Sequence, residues 1–384
     1  MKTQKKHSIR HIWMIAVMLI FSHCADNVRS QQAPPEQKTS KKIQMALLLD
    51  TSNSMDGLID QAKSQLWTVV NELAKATCDE GKPELQIALY EYGNDNLPSS
   101  EGYIRLVTPL TSDLDQISKD LFALRTNGGS EFCGQVIQTA LKQLDWSTSA
   151  NDLQLIYIAG NEPFTQGNVH YRTACTDARE KHVIVNTIHC GDFNEGINTS
   201  WKDGADLTGG SYASIEQNRK TVYIESPYDR KIAELNVLLN DTYIPYGRLG
   251  YEKKKNQVAQ DENARSYGSV NYVKRAVSKS SHVYDNKSWD LVDASKETDF
   301  EIEDISKVDL PAEMQSMNDE QKIKYIEQKS KERTELSNQI QELNTKRDAY
   351  VAEQHKTANN ENMLDNAILT SLKTQAKSRD FLIK

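Results

Sequence analysis

Leu47-Leu48-Leu49-Asp50-Thr51-Ser52-Asn53-Ser54 is an apolar run that delivers one carboxylate and then two hydroxyls at alternate positions. Ile43 to Leu49 reads as a buried strand, being short, apolar and followed by turn-formers. From about Met55 to Ala76, Leu58, Ile59, Ala62, Leu66, Val69, Val70 and Leu73 fall at helical spacing. Such a strand-to-helix turn sits at the carboxyl edge of a parallel sheet, where open α/β folds place their ligands. Asp50, Ser52 and Ser54 would there offer hard oxygen donors suited to a hard divalent cation. The plainer alternative is that Asp50 caps the helix and the two serines are ordinary turn-formers.

Working outward, the pattern repeats. Leu85 to Tyr92 alternates toward a strand, Gly102 to Val107 gives a shorter one, and a helix follows around Leu114 to Leu124. Thr126-Asn127-Gly128-Gly129-Ser130-Glu131 is a glycine-rich loop before a helix from about Gly134 to Leu144. Leu153 to Ala159 reads as a central buried strand. A helix near Ala174 to Lys181 then leads into Val183 to Ile188, and a last helix and short strand end near Tyr212. Strands alternating with helices imply an α/β fold, a doubly wound and mostly parallel sheet covered on both faces.

Asp50-Thr51-Ser52-Asn53-Ser54 matches the DxSxS motif, and with its strand, its helix and the ordering above, residues 43 to 218 resemble the von Willebrand factor type A (VWA) family. That motif opens the family's metal-ion-dependent adhesion site. The resemblance implies a divalent cation, Mg²⁺ or else Mn²⁺ or Ca²⁺, held by Asp50, Ser52, Ser54 and a second-loop hydroxyl. The family's second-loop Thr is replaced by Ser130; Thr126 is the alternative hydroxyl, and Glu131 stands close enough to compete or to replace a water. The third loop departs from the pattern. Gly160 stands where the family has Asp, and Asn161 or Glu162 remains to reach in, with Glu162 best placed to restore the charge. Losing that carboxylate removes about one formal charge of attraction and should weaken the site. The mechanism implied is capture of a protein partner whose Asp or Glu completes the metal's shell.

At 384 residues with a net charge of −8, the chain has room for more than one domain and no basic patch for nucleic acid. Lys2, Lys5, Lys6, Arg10 and His11 precede an apolar run from Ile12 to Phe21 and then Ser22-His23-Cys24-Ala25. This is the layout of a secretory signal over 1–24, with an uncleaved anchor as the alternative. Cys24 also suggests lipid attachment, although His23 stands where that pattern has Gly, Ala or Ser. Residues 25–42 read as an exposed linker. Cys78, Cys133, Cys175 and Cys190 allow three pairings; Cys175 with Cys190 is favoured by topology, and buried free thiols are the alternative.

Beyond the α/β part, 219–310 reads as a connecting region with helices over Ile232 to Leu239 and Asn263 to Ser280, and an acidic connector from Glu297 to Asp304. Residues 311–384 read as a charged α-helical tail, partly coiled-coil-like. Asn318 and Gln321 form a capping box there. Ile326, Leu336, Ile340, Leu343 and Tyr350 fall on heptad positions interrupted by Arg333 and Arg347, and a hairpin with Leu364, Ile368 and Leu372 is an equal alternative.

Enzyme motifs are lacking. Ser52 occupies the place of the second Asp that a haloacid dehalogenase-type phosphotransferase needs. No phosphate loop or nucleophile elbow occurs. His170, His182 and His189 with the cysteines match no zinc spacing. The expectation is therefore a non-catalytic, exported, bacterial-type binding protein of the periplasm, cell envelope or outer surface, with metal ligands Asp50, Ser52, Ser54, Ser130 and Glu162. The alternative is a scaffold or assembly protein acting through its helical tail, its metal site vestigial.

Overall fold

Six strands make the central sheet of the computed structural model, which describes residues 41–79, 81–215, 224–357 and 363–383. The expected signal, Cys24 and nearly all of the linker lie outside these residues. Chain order is β1 (Lys42–Asp50), α1 (Ile59–Leu73), β2 (Ala76–Thr77), β3 (Glu84–Tyr92), β4 (Ile104–Thr111), α2 (Leu114–Ala123), α3 (Cys133–Gln143) and β5 (Leu153–Gly160). There follow α4 (Tyr171–Glu180), β6 (Val183–His189), α5 (Phe193–Asn198), α6 (Trp201–Asp206) and β7 (Tyr212–Ser214). The sheet order is β4-β3-β1-β5-β6-β7, parallel except for β4, which runs antiparallel at the edge.

The β1 side chains alternate between two cores because successive residues of a strand face opposite ways. Ile43, Met45, Leu47 and Leu49 pack with α1 and α2, whereas Ala46 and Leu48 pack with α3, α4 and α6. Both faces are dry, which accounts for the continuous apolar run of β1. All parallel strands therefore end at one carboxyl edge, where Asp50, Tyr92, Gly160 and His189 terminate β1, β3, β5 and β6.

The C-terminal helices extend the first of these cores. They are α7 (Asp229–Asn240), α8 (Gly250–Ser266), α9 (Ser269–Lys279), α10 (Leu291–Ala294), α11 (Asp319–Thr357) and α12 (Met363–Lys377), closed by β8 (Leu382–Ile383), which pairs with β2. The single helix expected over 263–280 is instead two, broken at Gly268 with φ +115°, a conformation open to glycine. The capping box holds: Gln321 N–H donates to Asn318 Oδ1 at 2.9 Å and Asn318 N–H to Gln321 Oε1 at 3.0 Å.

The coiled-coil reading of the tail is corrected. Ile340, Ile368 and Leu372 are buried in the same core as β1, and Ile326 joins a smaller cluster with Ile244, Leu291 and Met314. The Leu364 side chain lies outside the described residues. Arg333 and Arg347, which interrupt the heptads, are the anchors. Arg333 donates to Asp290 at 2.7 Å and Asp293 at 3.0 Å and stacks 3.8 Å over the Tyr243 ring. Arg347 pairs with Asp229 at 2.9 Å. A second buried network ties α2 to the added helices. Arg275 bridges Asp115 and Asp261, Lys279 pairs with Asp261 at 2.7 Å, and Tyr284 donates to Asp115 at 2.6 Å.

The expected Cys175–Cys190 disulfide is also corrected, since all four described cysteines are free. Cys175 on α4 belongs to one core and Cys190 to the other, so the sheet lies between them.

Two predictions follow from this packing. Arg333→Met leaves Asp290 and Asp293 buried without their main counter-charge, and the expected loss is about 3–5 kcal/mol in urea unfolding. Limited proteolysis should then cut within α11; wild-type resistance there would refute the anchoring role. His282, half-buried just past α9, is pushed down from 6.5 to about 4, first by burial and then by nearby Lys82. The unfolded chain binds this proton at the higher pH and the folded chain only at the lower. Stability should therefore fall as pH drops through that window and level off below it. Melting temperatures of His282→Gln between pH 7 and pH 4 should show a shallower slope than wild type.

Candidate metal centre

At the end of β1 the chain turns through Thr51 and Ser52 into a single 3₁₀ turn at Asn53–Met55 and then α1. Alternation sorts the side chains. Thr51 points toward Glu91, its hydroxyl 3.4 Å from Oε2, while Asp50 and Ser52 face the other way. Asp50 is fully buried. Its Oδ1 accepts the Ser52 N–H at 2.8 Å, and its Oδ2 is buried with no hydrogen-bond partner.

Hydroxyls continue from there. Ser52 Oγ and Ser54 Oγ are 2.8 Å apart, and Ser54 Oγ donates to Asn161 Oδ1 at 3.0 Å. The first and third loops are thus joined side chain to side chain, with Ser54 exposed. Glu162 is half-buried, and its backbone carbonyl accepts the Trp201 indole N–H at 2.8 Å.

The second loop is stitched against the first. Asn127 N–H donates to the Thr51 carbonyl at 2.9 Å, and Asn94 Nδ2 reaches the Thr51 hydroxyl at 3.2 Å and the Arg125 carbonyl at 3.1 Å. Gly129 must be glycine, because a Cβ there would sit 2.2 Å from the Gly93 carbonyl oxygen. This close approach carries Glu131 inward to 4% exposure, with its N–H donating to Gln166 Oε1 at 2.6 Å.

Charge follows from this geometry. Burial pushes the Asp50 carboxyl well above its ordinary range, and Glu131 and then Glu162 add to the effect, while Ser52 opposes it. Burial likewise pushes Glu131 up to about 7, with the Ser52 hydroxyl partly offsetting it and Glu162 adding to it. Among the described residues no Lys, Arg or His forms an ion pair with either carboxylate.

Of the five expected ligands, Asp50, Ser52 and Ser54 stand together and Glu162 is close enough to act on Asp50 electrostatically. Ser130 is half-buried, and no hydrogen bond among the described residues ties its hydroxyl to those three. Thr126 is committed elsewhere, donating to Asp56. The histidines do not converge. His170 caps α4, His182 follows its end at φ +62°, and His189 is buried beside Trp201 with both ring nitrogens unpartnered. Tyr92 was not legible as part of this edge, because a strand-end tyrosine reads as core.

The donor set fits a hard cation on one observation: Asp50 Oδ2 is buried without a partner, on a turn that also carries the Ser52–Ser54 hydroxyl pair. No group of three His, Cys, Asp or Glu that would hold a metal occurs among the described residues. A cation here would therefore depend on neutral oxygens as well as carboxylate.

The family model described as von Willebrand factor type A domain matches residues 44–201. No curated protein matches the chain. Among solved structures, the conserved hypothetical protein BatB from Bacteroides thetaiotaomicron is 15% identical over 45% of this chain and 90% of its own, with TM-score 0.36. The SpRpn10 VWA domain is 17% identical over 47% of this chain and 90% of its own, also at TM-score 0.36. Proximal thread matrix protein 1 from the mussel byssus, with a zinc-occupied MIDAS motif, is 14% identical over 47% of this chain and 43% of its own, at TM-score 0.34. VWA domains typically mediate protein–protein interaction through a divalent-cation adhesion site and are generally non-catalytic. The wound sheet, its carboxyl-edge DxSxS turn and the family match together make residues 44–201 a von Willebrand factor type A domain, followed in this chain by a helical C-terminal region.

Proposed function

We propose that this chain is an exported, non-catalytic binding protein whose VWA domain captures a protein partner through a divalent cation. Asp50, Ser52 and Ser54 would hold the ion, with Ser130 and Glu162 bordering it, and Mg²⁺ or Mn²⁺ suits the all-oxygen donors. A bound cation would supply a Lewis-acidic point that a partner's Asp or Glu carboxylate completes. The supporting observation is the buried, unpartnered Asp50 Oδ2 on the same turn as the Ser52–Ser54 hydroxyl pair. On this reading the VWA part spans 43–218, and 219–310 and 311–384 brace it. Export rests on the basic stretch and apolar run within 1–24.

A scaffold reading has one observation in its favour: Gly160 supplies no carboxylate at the third loop. The helical region would then carry the interaction, and the metal site would be vestigial.

Calorimetry on the full chain should show Mg²⁺ or Mn²⁺ binding that Asp50→Ala abolishes; equal binding by both would sink the cation reading. Capture of a partner from envelope extract should be lost with a chelator and with Asp50→Ala. Capture indifferent to both would favour the scaffold.

A further inference from the structure

We infer that Glu131, rather than Ser130, is the second loop's contribution to the cation site, replacing on that loop the carboxylate that Gly160 does not supply. The inference rests on the cation reading above and goes beyond it by assigning a second charged ligand.

Placement is the first argument. Asp50 Oδ1 and Glu131 Cγ lie 2.6 and 2.8 Å from the same point, the position where Gly93 lacks a Cβ. The two acidic side chains therefore flank one glycine and converge from different loops. Both are almost wholly excluded from water, and among the described residues neither has a cationic partner. Two carboxylates buried side by side without counter-charge are costly. A divalent cation between them is the compensation that the geometry admits, and Asp50 Oδ2 is buried with no hydrogen-bond partner to take that place.

The third loop supplies the second argument. A Cβ on Gly160 would meet the Tyr92 hydroxyl at 2.5 Å, Asp50 Cβ at 3.1 Å and Trp201 Cη2 at 3.1 Å. Tyr92 is held there by donating to the Ala159 carbonyl at 3.0 Å, and Trp201 by donating to the Glu162 carbonyl at 2.8 Å. An aspartate at 160 would require the Tyr92 hydroxyl to move. The third loop instead reaches Ser54 with the neutral amide oxygen of Asn161. With Asp50 and Glu131 both ionised, the centre would carry two negative charges, enough to neutralise a divalent ion without help from Glu162.

Mn²⁺ titration of the full chain by calorimetry, with parallel thermal melts, tests this. Glu131→Gln should weaken Mn²⁺ binding by about tenfold or more, since ligand charge count tunes such sites over decades. Ser130→Ala should weaken binding less than Glu131→Gln does. In metal-free buffer Glu131→Gln should melt no lower than wild type, because it removes a buried charge facing Asp50, while its Mn²⁺-induced rise in Tm should shrink. Glu131→Asp, one methylene shorter, should also weaken binding and serves if the Gln variant does not fold. Wild-type affinity in Glu131→Gln, or a large loss in Ser130→Ala alone, overturns the inference and leaves the cation reading standing. Absence of Mn²⁺ binding by wild type removes both.

Discussion

A carboxylate sealed at the end of a buried strand governs this edge of the molecule. Asp50 has no exposure, one oxygen is satisfied by a backbone N–H, and the other is bare. Leaving an ionised carboxylate so placed costs several kcal/mol unless a positive charge arrives. Nothing cationic comes from the described side chains. The neighbours instead make the approach narrower: Gly93 and Gly129 let two backbones touch, and Gly160 leaves room only for Tyr92 and Trp201. Glycine here sets distances between loops, and those distances decide which side chains face the acid.

The helical region bears on the other end of the problem. A VWA sheet needs both faces covered, and here the helices on the α1–α2 face are themselves covered by α8, α9 and α12. The added contacts are not only apolar. Arg275, Arg333 and Arg347 each carry a buried guanidinium across to acids on another element. Such pairs contribute little net stability against well-packed apolar residues, but they tolerate few alternative registers. A 39-residue helix with an apolar seam as thin as that of α11 would otherwise have several ways to lie down. The pinning leaves the loop side untouched, and Ser54 stays exposed at the carboxyl edge.

The α/β order was legible because strand and helix periods differ and because each strand ended in turn residues. The DxSxS turn was legible for the same reason: Asp50, Ser52 and Ser54 are neighbours in sequence as well as in space. What failed to show were relations between distant segments. Arg333 and Arg347 read as faults in a heptad because their partners, Asp290, Asp293 and Asp229, lie 40 to 118 residues away. The cysteine pairing failed because a strand's edge position does not reveal which face its neighbour packs on. Asn263 to Ser280 read as one helix since Gly268 costs a helix only about 1 kcal/mol by propensity, whereas its observed φ ends one.

The third-loop departure and the buried second-loop acid belong to one account of charge. Read along the chain, Gly160 subtracts a carboxylate and points to a weakened site. Read in space, Tyr92 and Trp201 crowd the place of a side chain at 160, and Glu131 brings an acid to the same aspartate from across the Gly93–Gly129 contact. The two acids repel when nothing lies between them and attract a common cation when something does. Binding would then be linked to the order of two loops at once, since any ligand that prefers the closed arrangement stabilises it in proportion to the logarithm of its concentration over Kd. A site of this kind couples its own assembly to ion supply, and the exposed Ser54 marks the side from which a partner would arrive.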